Sequence, residues 1–213
     1  MQPRAAAAPL AVLALALPFL FAYTSPPSAN LWPWLASWAC AGVLAALLLA
    51  GLDWPRRTWA RHWSVALALA ALVAAGIGLA QYFVGDPGAA PWVQPSTPGQ
   101  AIGNLRQRNQ QATLLSLGVW ALLWGLAQMQ ARLQHPGIAT TVQGGRAWPG
   151  WLTGLLVAWG LALLAVSSAA TASRTGAVQW LLVLGLMLCW RVSWGRLVLG
   201  LGLVVLLGTF GVL

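Results

Sequence analysis

Long apolar runs that are almost free of charge follow one another through the whole 213-residue sequence. Hydrophobic residues make up 60% of the chain, and charged residues make up only 6%. Soluble domains carry about a quarter charged residues, so this amount of apolar surface requires lipid around it. The sequence therefore predicts an all-α fold, that of a polytopic integral membrane protein.

The apolar runs predict about seven transmembrane helices, because roughly 20 apolar residues in a helix cross about 30 Å of hydrocarbon. The spans are expected near residues 8–23, 35–51, 64–83, 111–128, 151–170, 177–190 and 194–213. They form one transmembrane domain over 1–213 and leave no room for a soluble domain. The connection at 84–110 is much longer than the others and rich in Pro and Gly, which is typical of a functional loop.

Arginine placement predicts the orientation. All eleven basic residues are Arg, and alternate connections carry them unequally. Eight fall on one side (Arg4, Arg56, Arg57, Arg61, Arg132, Arg146, Arg191 and Arg196) and three on the other (Arg106, Arg108 and Arg174). The positive-inside rule then places the N-terminus in the cytoplasm and the long loop outside. The first run also resembles a secretory signal peptide, so its cleavage remains open.

Composition argues against several other classes. A net charge of +9 would suggest nucleic acid in a soluble protein, but here the arginines are scattered between apolar runs, so no nucleic-acid partner is predicted. Cys40 and Cys189 lie inside apolar runs and are interpreted as small buried hydrophobic residues. We therefore expect no disulfide, no metal site and no cofactor.

A dense polar cluster closes the long loop. Residues 103–111 read Gly-Asn-Leu-Arg-Gln-Arg-Asn-Gln-Gln, with two guanidinium groups and five side-chain amides at the start of the fourth span. One guanidinium group can bind two phosphate oxygens at once, and the dipole of a helix N-terminus also favours a bound anion. The cluster thus favours an anion site. A solvated loop whose arginines anchor to lipid headgroups explains the same residues equally well.

A second cluster, Ser173-Arg174-Thr175-Gly176, lies between spans five and six on the same predicted side. Arg174 is seventeen residues from Arg191, about 25 Å of helix. Span six therefore barely crosses the membrane if both arginines remain in contact with water. An ionisable residue at the hydrocarbon edge is a candidate functional residue. The alternative is an arginine that snorkels to the interface.

These two motifs resemble those of the bacterial O-oligosaccharyltransferases, the pilin glycosylation ligases of the O-antigen ligase superfamily. Residues 103–110 look like the family's Gly-Asn-x-x-Gln-x-Asn signature, and Ser173-Arg174 looks like the Ser-Arg pair that opens the later polymerase-ligase region. Their order, spacing and shared side agree with that family. The likeness covers the whole chain as the N-terminal half of such an enzyme.

The resemblance implies transfer of a preassembled glycan from undecaprenyl diphosphate to Ser or Thr of a pilin or other exported protein, or to lipid A core. The reaction would take place at the periplasmic face of the bacterial inner membrane. The implied partners are the lipid-linked oligosaccharide donor, the exported protein acceptor and membrane lipids. Neither a nucleotide nor a metal is implied.

The resemblance also assigns roles. It makes Arg174 the catalytic residue, which together with Arg106 or Arg108 would contact the diphosphate, where negative charge gathers in the transition state. Gln107, Asn109 and Gln110 would position the motif or the glycan. Asn104 and Ser173 complete the expected substrate-binding set.

The chain departs from the family pattern in one important respect. Family members are about twice as long, with a later outer loop whose His activates the acceptor hydroxyl, whereas His62 and His135 are predicted on the cytoplasmic side. The sequence therefore predicts a donor-binding part that does not turn over by itself. A non-catalytic or truncated membrane subunit, or a small transporter or flippase component, are the alternatives. Against a transporter, no span carries an acid at the midplane.

The predicted orientation can be tested by cysteine labelling. A cysteine placed at Ser96, in the long loop, should react with a membrane-impermeant thiol reagent added from outside. One placed at Thr140, in the next connection, should stay unlabelled. The reverse pattern would overturn the orientation and the predicted side of the site together.

Overall fold

The computed structural model describes residues 3–24, 26, 28–51, 54–134 and 150–189, with 200, 202, 205 and 208. This part of the chain contains six α-helices and no strand. They are α1 (Pro3–Leu20), α2 (Leu31–Leu49), α3 (Arg56–Val84), α4 (Arg108–Gln134), α5 (Gly150–Ala170) and α6 (Arg174–Cys189). The prediction of an all-α fold is confirmed for these residues.

Four helices are long and apolar enough to cross a membrane, namely Leu31–Leu49, Arg56–Val84, Arg108–Met129 and Trp151–Ala170. Ala7–Leu20 is a shorter apolar helix. Their length and composition indicate a membrane protein. The total of seven spans and the cytoplasmic N-terminus stay predictions, and most of the seventh predicted span, 194–213, lies outside the described residues.

Helix ends differ from the predicted spans because a helix does not stop where its hydrophobic run stops. The third span was expected from residue 64, but α3 begins at Arg56, directly after Pro55, and carries Arg57, Arg61 and His62 in its first turns. Pro fixes a backbone angle suited to the start of a helix. Likewise α6 begins at Arg174 itself, three residues before the predicted span.

Helices α3 and α4 form the centre of the bundle. Helix α3 packs against α1, α4 and α5, and α4 also packs against α5 and α6. The buried face of α3 is a row of small residues four positions apart, Ala66, Ala70, Ala74 and Gly78. Small residues let helix backbones approach closely in a membrane, where van der Waals packing replaces the hydrophobic effect.

Large apolar side chains point away from this centre. Trp34, Leu49 and Trp159 are 68%, 90% and 67% exposed. In water such surfaces would be a liability, but in lipid they are the favoured exterior. Helix α2 packs mainly against α1, so most of its surface faces outward.

The connection 85–107 folds back over the ends of the helices. Gly85 ends α3 with φ +81°, and its carbonyl accepts a hydrogen bond from Ser96 N–H at 3.1 Å. Gly99 N–H donates to the carbonyl of Tyr82 at 2.7 Å. A Cβ at Gly85 would lie 2.6 Å from Pro98 Cδ, so only glycine fits this reversal. The long loop is therefore built onto the C-terminal end of α3.

Packing of α4 on α3 depends on Gly118. A Cβ built at Gly118 would overlap the Cβ of Ala71, so Gly118→Ala should force the two helices apart and destabilise the protein by about 1–3 kcal/mol. Gly125→Ala on the same helix is the matched control, because no atom lies within 4 Å of its added Cβ. Thermal unfolding in detergent should show a lower midpoint for Gly118→Ala alone. Equal midpoints would contradict this packing.

Candidate functional site

The two polar motifs meet at the starts of α4 and α6. Asn109 lies in the first turn of α4, and Ser173 immediately precedes α6. Ser173 Oγ donates a hydrogen bond to Asn109 Oδ1 at 2.9 Å, and accepts one from Gly176 N–H at 3.2 Å. Ser173 therefore caps α6 and joins it to α4 with the same hydroxyl. Two segments 64 residues apart in sequence become neighbours.

A polar seam continues below this bond and fixes the register of the two helices. Gln179 Nε2 donates to Thr113 Oγ1 at 2.9 Å, and Ser116 Oγ donates to Gln179 Oε1 at 3.1 Å. In hydrocarbon, an interhelical hydrogen bond contributes roughly 0.6–2 kcal/mol. Sliding α6 by one turn would break all these bonds, so the position of Arg174 beside α4 is set by this seam.

Arg108 and Arg174 are the first residues of α4 and α6, and both side chains are exposed. The only acidic side chain in the described part of the chain, Asp86, accepts a hydrogen bond from Gly88 N–H in its own turn. Both guanidinium groups thus lack a carboxylate partner among the described residues. Two helix N-termini add positive potential at the same place. Such an arrangement can bind a multivalent anion.

Arg106 faces a different neighbour. Its backbone adopts φ +59°, and its Nη2 donates to Asn30 Oδ1, just ahead of α2, at 3.0 Å. The structure therefore brings Arg174 together with Asn109 at the start of α4, and holds Arg106 towards the α1–α2 connection. Gln107 and Gln110 are exposed beside them.

An open cavity of about 330 Å³ lies beside this polar surface. It is lined by Phe19, Leu105, Asn109, Gln110, Thr113, Leu114 and Leu117. Asn109 and Gln110 form its polar end at the start of α4, and Leu117 lies two turns further along the helix. A cavity that changes from amide to alkyl lining along one helix suits an amphiphile. We refer to it as the first cavity.

Asn104, predicted in the substrate-binding set, is buried under the loop. Its Nδ2 donates to the carbonyls of Leu20 at 2.7 Å and Trp92 at 2.9 Å, and its Oδ1 accepts from Gln94 N–H at 3.1 Å. Both amide hydrogens and the side-chain oxygen are thus engaged with backbone. Asn104 holds the loop to the end of α1, and Ser173 is likewise occupied by α4 and α6.

Sequence reasoning missed Gln81, on the last turns of α3. This side chain is fully buried. Its Oε1 accepts from the N–H groups of Ile102 at 3.2 Å and Gly103 at 2.7 Å, and its Nε2 donates to the carbonyls of Gln94 at 2.6 Å and Gly103 at 3.3 Å. A glutamine inside a predicted span was the available signal, since a polar residue there needs a partner.

Gln111 lies next to this point and is also fully buried. Its Nε2 donates to the carbonyl of Ala74 at 2.8 Å, whereas its Oε1 has no hydrogen-bond partner in the described part of the protein. A Cβ at Gly103 would overlap that oxygen. Gly103, with φ +60°, is therefore required both by its backbone and by Gln111.

His62 lies at the opposite end of α3, nineteen residues before Gln81, or about 28 Å of helix. The centroid of its buried ring lies 4.7 Å from the centroid of the Trp54 ring. It is too distant to act at the starts of α4 and α6, and His135 lies outside the described residues. Within the described ranges, no three His, Cys, Asp or Glu side chains lie close enough together to hold a metal ion.

Comparison with known proteins identifies one segment. The protein glycosylation ligase family matches residues 101–124, which contain the polar cluster at the end of the loop and the first half of α4. This match confirms the resemblance to the O-oligosaccharyltransferase branch that the first motif predicted. The Ser173-Arg174 pair lies outside the matched segment. No curated protein and no solved structure matches the chain.

The role of Gln81 in shaping this segment can be tested. Gln81→Leu would leave the N–H groups of Ile102 and Gly103 unpaired in a buried position, at a cost of about 2 kcal/mol or more. The loop 85–107 should then be cut faster by an added protease. Gln128→Leu, an exposed position on α4, is the matched control. Equal cleavage rates in both variants would remove Gln81 from this role.

Proposed function

Starting from the glycosylation ligase segment at residues 101–124, we propose that this chain forms the donor-binding part of a membrane glycosyltransferase. The enzyme transfers a preassembled glycan from undecaprenyl diphosphate to Ser or Thr of a pilin or other exported protein. The unequal distribution of arginines supports a site on the periplasmic side of the inner membrane.

One observation carries this proposal, the 2.9 Å hydrogen bond between Ser173 and Asn109. It brings the start of α6, with Arg174, to the start of α4, with Arg108. A diphosphate has oxygens enough for two guanidinium groups, and each pairing can be bidentate. Neither side chain has a carboxylate to neutralise it in the described part of the protein, so both are available to the donor.

The first cavity supports a lipid-linked donor rather than a free nucleotide sugar. Its polar end lies at Asn109 and Gln110, beside the arginines, and its apolar walls continue towards Leu117. A prenyl chain would occupy the apolar part while the diphosphate stays at the helix starts. Because the prenyl chain already lies in hydrocarbon, van der Waals packing against these walls would hold it, since lipid tails supply no hydrophobic driving force.

The arrangement suits the charge that develops during transfer. The acceptor hydroxyl oxygen forms a bond to the anomeric carbon as the bond from that carbon to the phosphate oxygen breaks, and the lipid diphosphate leaves. Arg174 and Arg108 stabilise the growing negative charge on the leaving group. We assign them donor binding and leaving-group stabilisation. In the described part of the protein no imidazole lies near enough to take the acceptor proton, since His62 is at the other end of α3.

Arg174→Ala tests the proposal. Loss of one charge-stabilising donor should reduce glycan transfer roughly a hundredfold or more, with membrane insertion unchanged. Glycan transfer by Arg174→Lys should lie between that of the unaltered protein and that of Arg174→Ala, because lysine keeps the positive charge but cannot form the bidentate pairing. The measurement is the glycosylated fraction of the acceptor protein, by intact mass, in cells that carry the altered natural gene.

Arg57→Ala provides the matched control, since Arg57 is an exposed arginine in the first turn of α3, at the opposite end from Gln81. We expect normal transfer from this variant. Unchanged acceptor glycosylation in Arg174→Ala cells would remove Arg174 from the site. Unchanged transfer in the double variant Arg108→Ala/Arg174→Ala would favour a non-catalytic membrane subunit.

A further inference from the structure

A second cavity, of about 310 Å³, lies between the α1–α2 connection and the long loop. The described residues that line it are Ala22, Tyr23, Thr24, Pro26, Ala90, Pro91, Val93, Gln94 and Pro95. Asn104 lies close to it, because its amide donates to the carbonyls of Leu20 and Trp92, which flank two of the lining segments. Leu105, the next residue, lines the first cavity. The two cavities are therefore neighbours, both close to residues 104–105.

Three residues that line the second cavity carry polar side chains with no hydrogen-bond partner among the described residues. They are the hydroxyls of Tyr23 and Thr24 and the side-chain amide of Gln94. The backbone of Gln94 is fixed at both ends, since its N–H donates to Asn104 Oδ1 and its carbonyl accepts from Gln81 Nε2. The amide is thus carried on a rigid support and available to a ligand.

The walls of the second cavity are rigid as well. The Tyr23 ring packs edge-on against Trp32 with centroids 5.5 Å apart, and Trp32 Nε1 donates to the carbonyl of Pro26 at 3.4 Å. Pro91 and Pro95 line the opposite side. Prolines and an anchored aromatic ring lose little conformational freedom when a ligand binds.

The lining selects for an uncharged, hydroxyl-rich ligand. None of the described residues that line the cavity is charged, so none of them would hold a phosphate. Hydroxyl and amide groups exchange hydrogen bonds with sugar hydroxyls, and the apolar ring faces of Tyr23 and the prolines suit the C–H faces of a pyranose. A volume near 300 Å³ is at the lower end for small-molecule sites.

We propose that the second cavity binds the first sugars of the donor glycan, while the first cavity holds the prenyl chain. This inference rests on the proposed function, because it places the glycan next to the diphosphate at the starts of α4 and α6. Asn104 then lies close to where the sugar and lipid parts of one binding site meet. Tyr23, Thr24 and Gln94 are its sugar-binding residues.

The test compares two probes on the full chain in lipid nanodiscs. One is undecaprenyl diphosphate carrying a disaccharide, and the other is undecaprenyl diphosphate alone. The sugar-bearing lipid should bind more tightly. Gln94→Ala leaves both backbone hydrogen bonds of residue 94 in place. It should lower the affinity for the sugar-bearing lipid roughly fivefold, which corresponds to about one hydrogen bond, and leave the affinity for the bare lipid unchanged.

Matched controls exist for each variant. Gln100→Ala removes an exposed amide from the same loop, outside the cavity. Tyr23→Phe removes one cavity hydroxyl, and Tyr82→Phe removes the hydroxyl of the only other tyrosine in the sequence. We expect Tyr23→Phe to lower the affinity for the sugar-bearing lipid alone, and the two controls to bind both lipids normally.

The outcomes separate this inference from the proposed function. Equal binding of the two lipids, or equal losses for both in Gln94→Ala and Tyr23→Phe, would overturn the sugar subsite while Arg174-dependent binding of the bare lipid stands. A change confined to the KM for the acceptor would also overturn it and assign the cavity to acceptor protein. If Arg174→Ala leaves the affinity for the bare lipid unchanged, the proposed function itself is refuted.

Discussion

The buried amide of Gln81 is the interaction on which the outer end of this protein depends. The loop between α3 and α4 must return its backbone into the apolar bundle at Ile102 and Gly103, where unpaired N–H groups cost 1–3 kcal/mol each. Gln81 accepts from both of them and donates to two carbonyls of the same loop.

The side-chain amide of Asn104, one residue further along, binds backbone groups in the same way and joins the loop to α1. These two amides hold a long, proline-rich connection in a single conformation, and the polar cluster follows directly from it. The geometry of both cavities therefore depends on side chains that a ligand need not touch.

A second constraint joins the two motifs. Ser173, just ahead of α6, and Gln179 within it form a polar stripe that matches Asn109, Thr113 and Ser116 of α4. Each bond in the seam is modest, but the set allows only one register, because polar groups displaced into hydrocarbon would lose their partners. The first turns of both helices consequently lie side by side, with Arg108 and Arg174 at the surface. The proposed diphosphate site would follow from this packing between helices, with its arginines at the surface.

Several parts of this arrangement could be predicted from the sequence. The apolar runs located the six described helices, and the cluster at residues 103–111 identified the segment that matches the glycosylation ligase family. Hydropathy predicted spans and not helix ends, and α3 continues back to Arg56, beyond the hydrophobic run that was used to find it. The role of Gln81 was not foreseen. Its partners are 13 to 22 residues away, and hydropathy carries no information on which backbone groups return to a given side chain. Asn104 was expected to contact substrate, whereas its hydrogen-bonding groups are engaged with backbone.

The sequence by itself determined the solvent of this protein and its candidate chemistry. Scarce charge and long apolar runs require lipid, and the arginines and amides beside the fourth span indicate an anion. Both follow from composition and local order, which are properties of contiguous residues.

Only the tertiary structure decided which of these residues meet. The pairing of Ser173 with Asn109, the hydrogen bond from Asn104 to Leu20, and the fit of Gly118 on Ala71 join residues from 47 to 84 positions apart. Such contacts depend on helix register and close packing, and a single residue of shift would change all of them while leaving the hydropathy pattern the same.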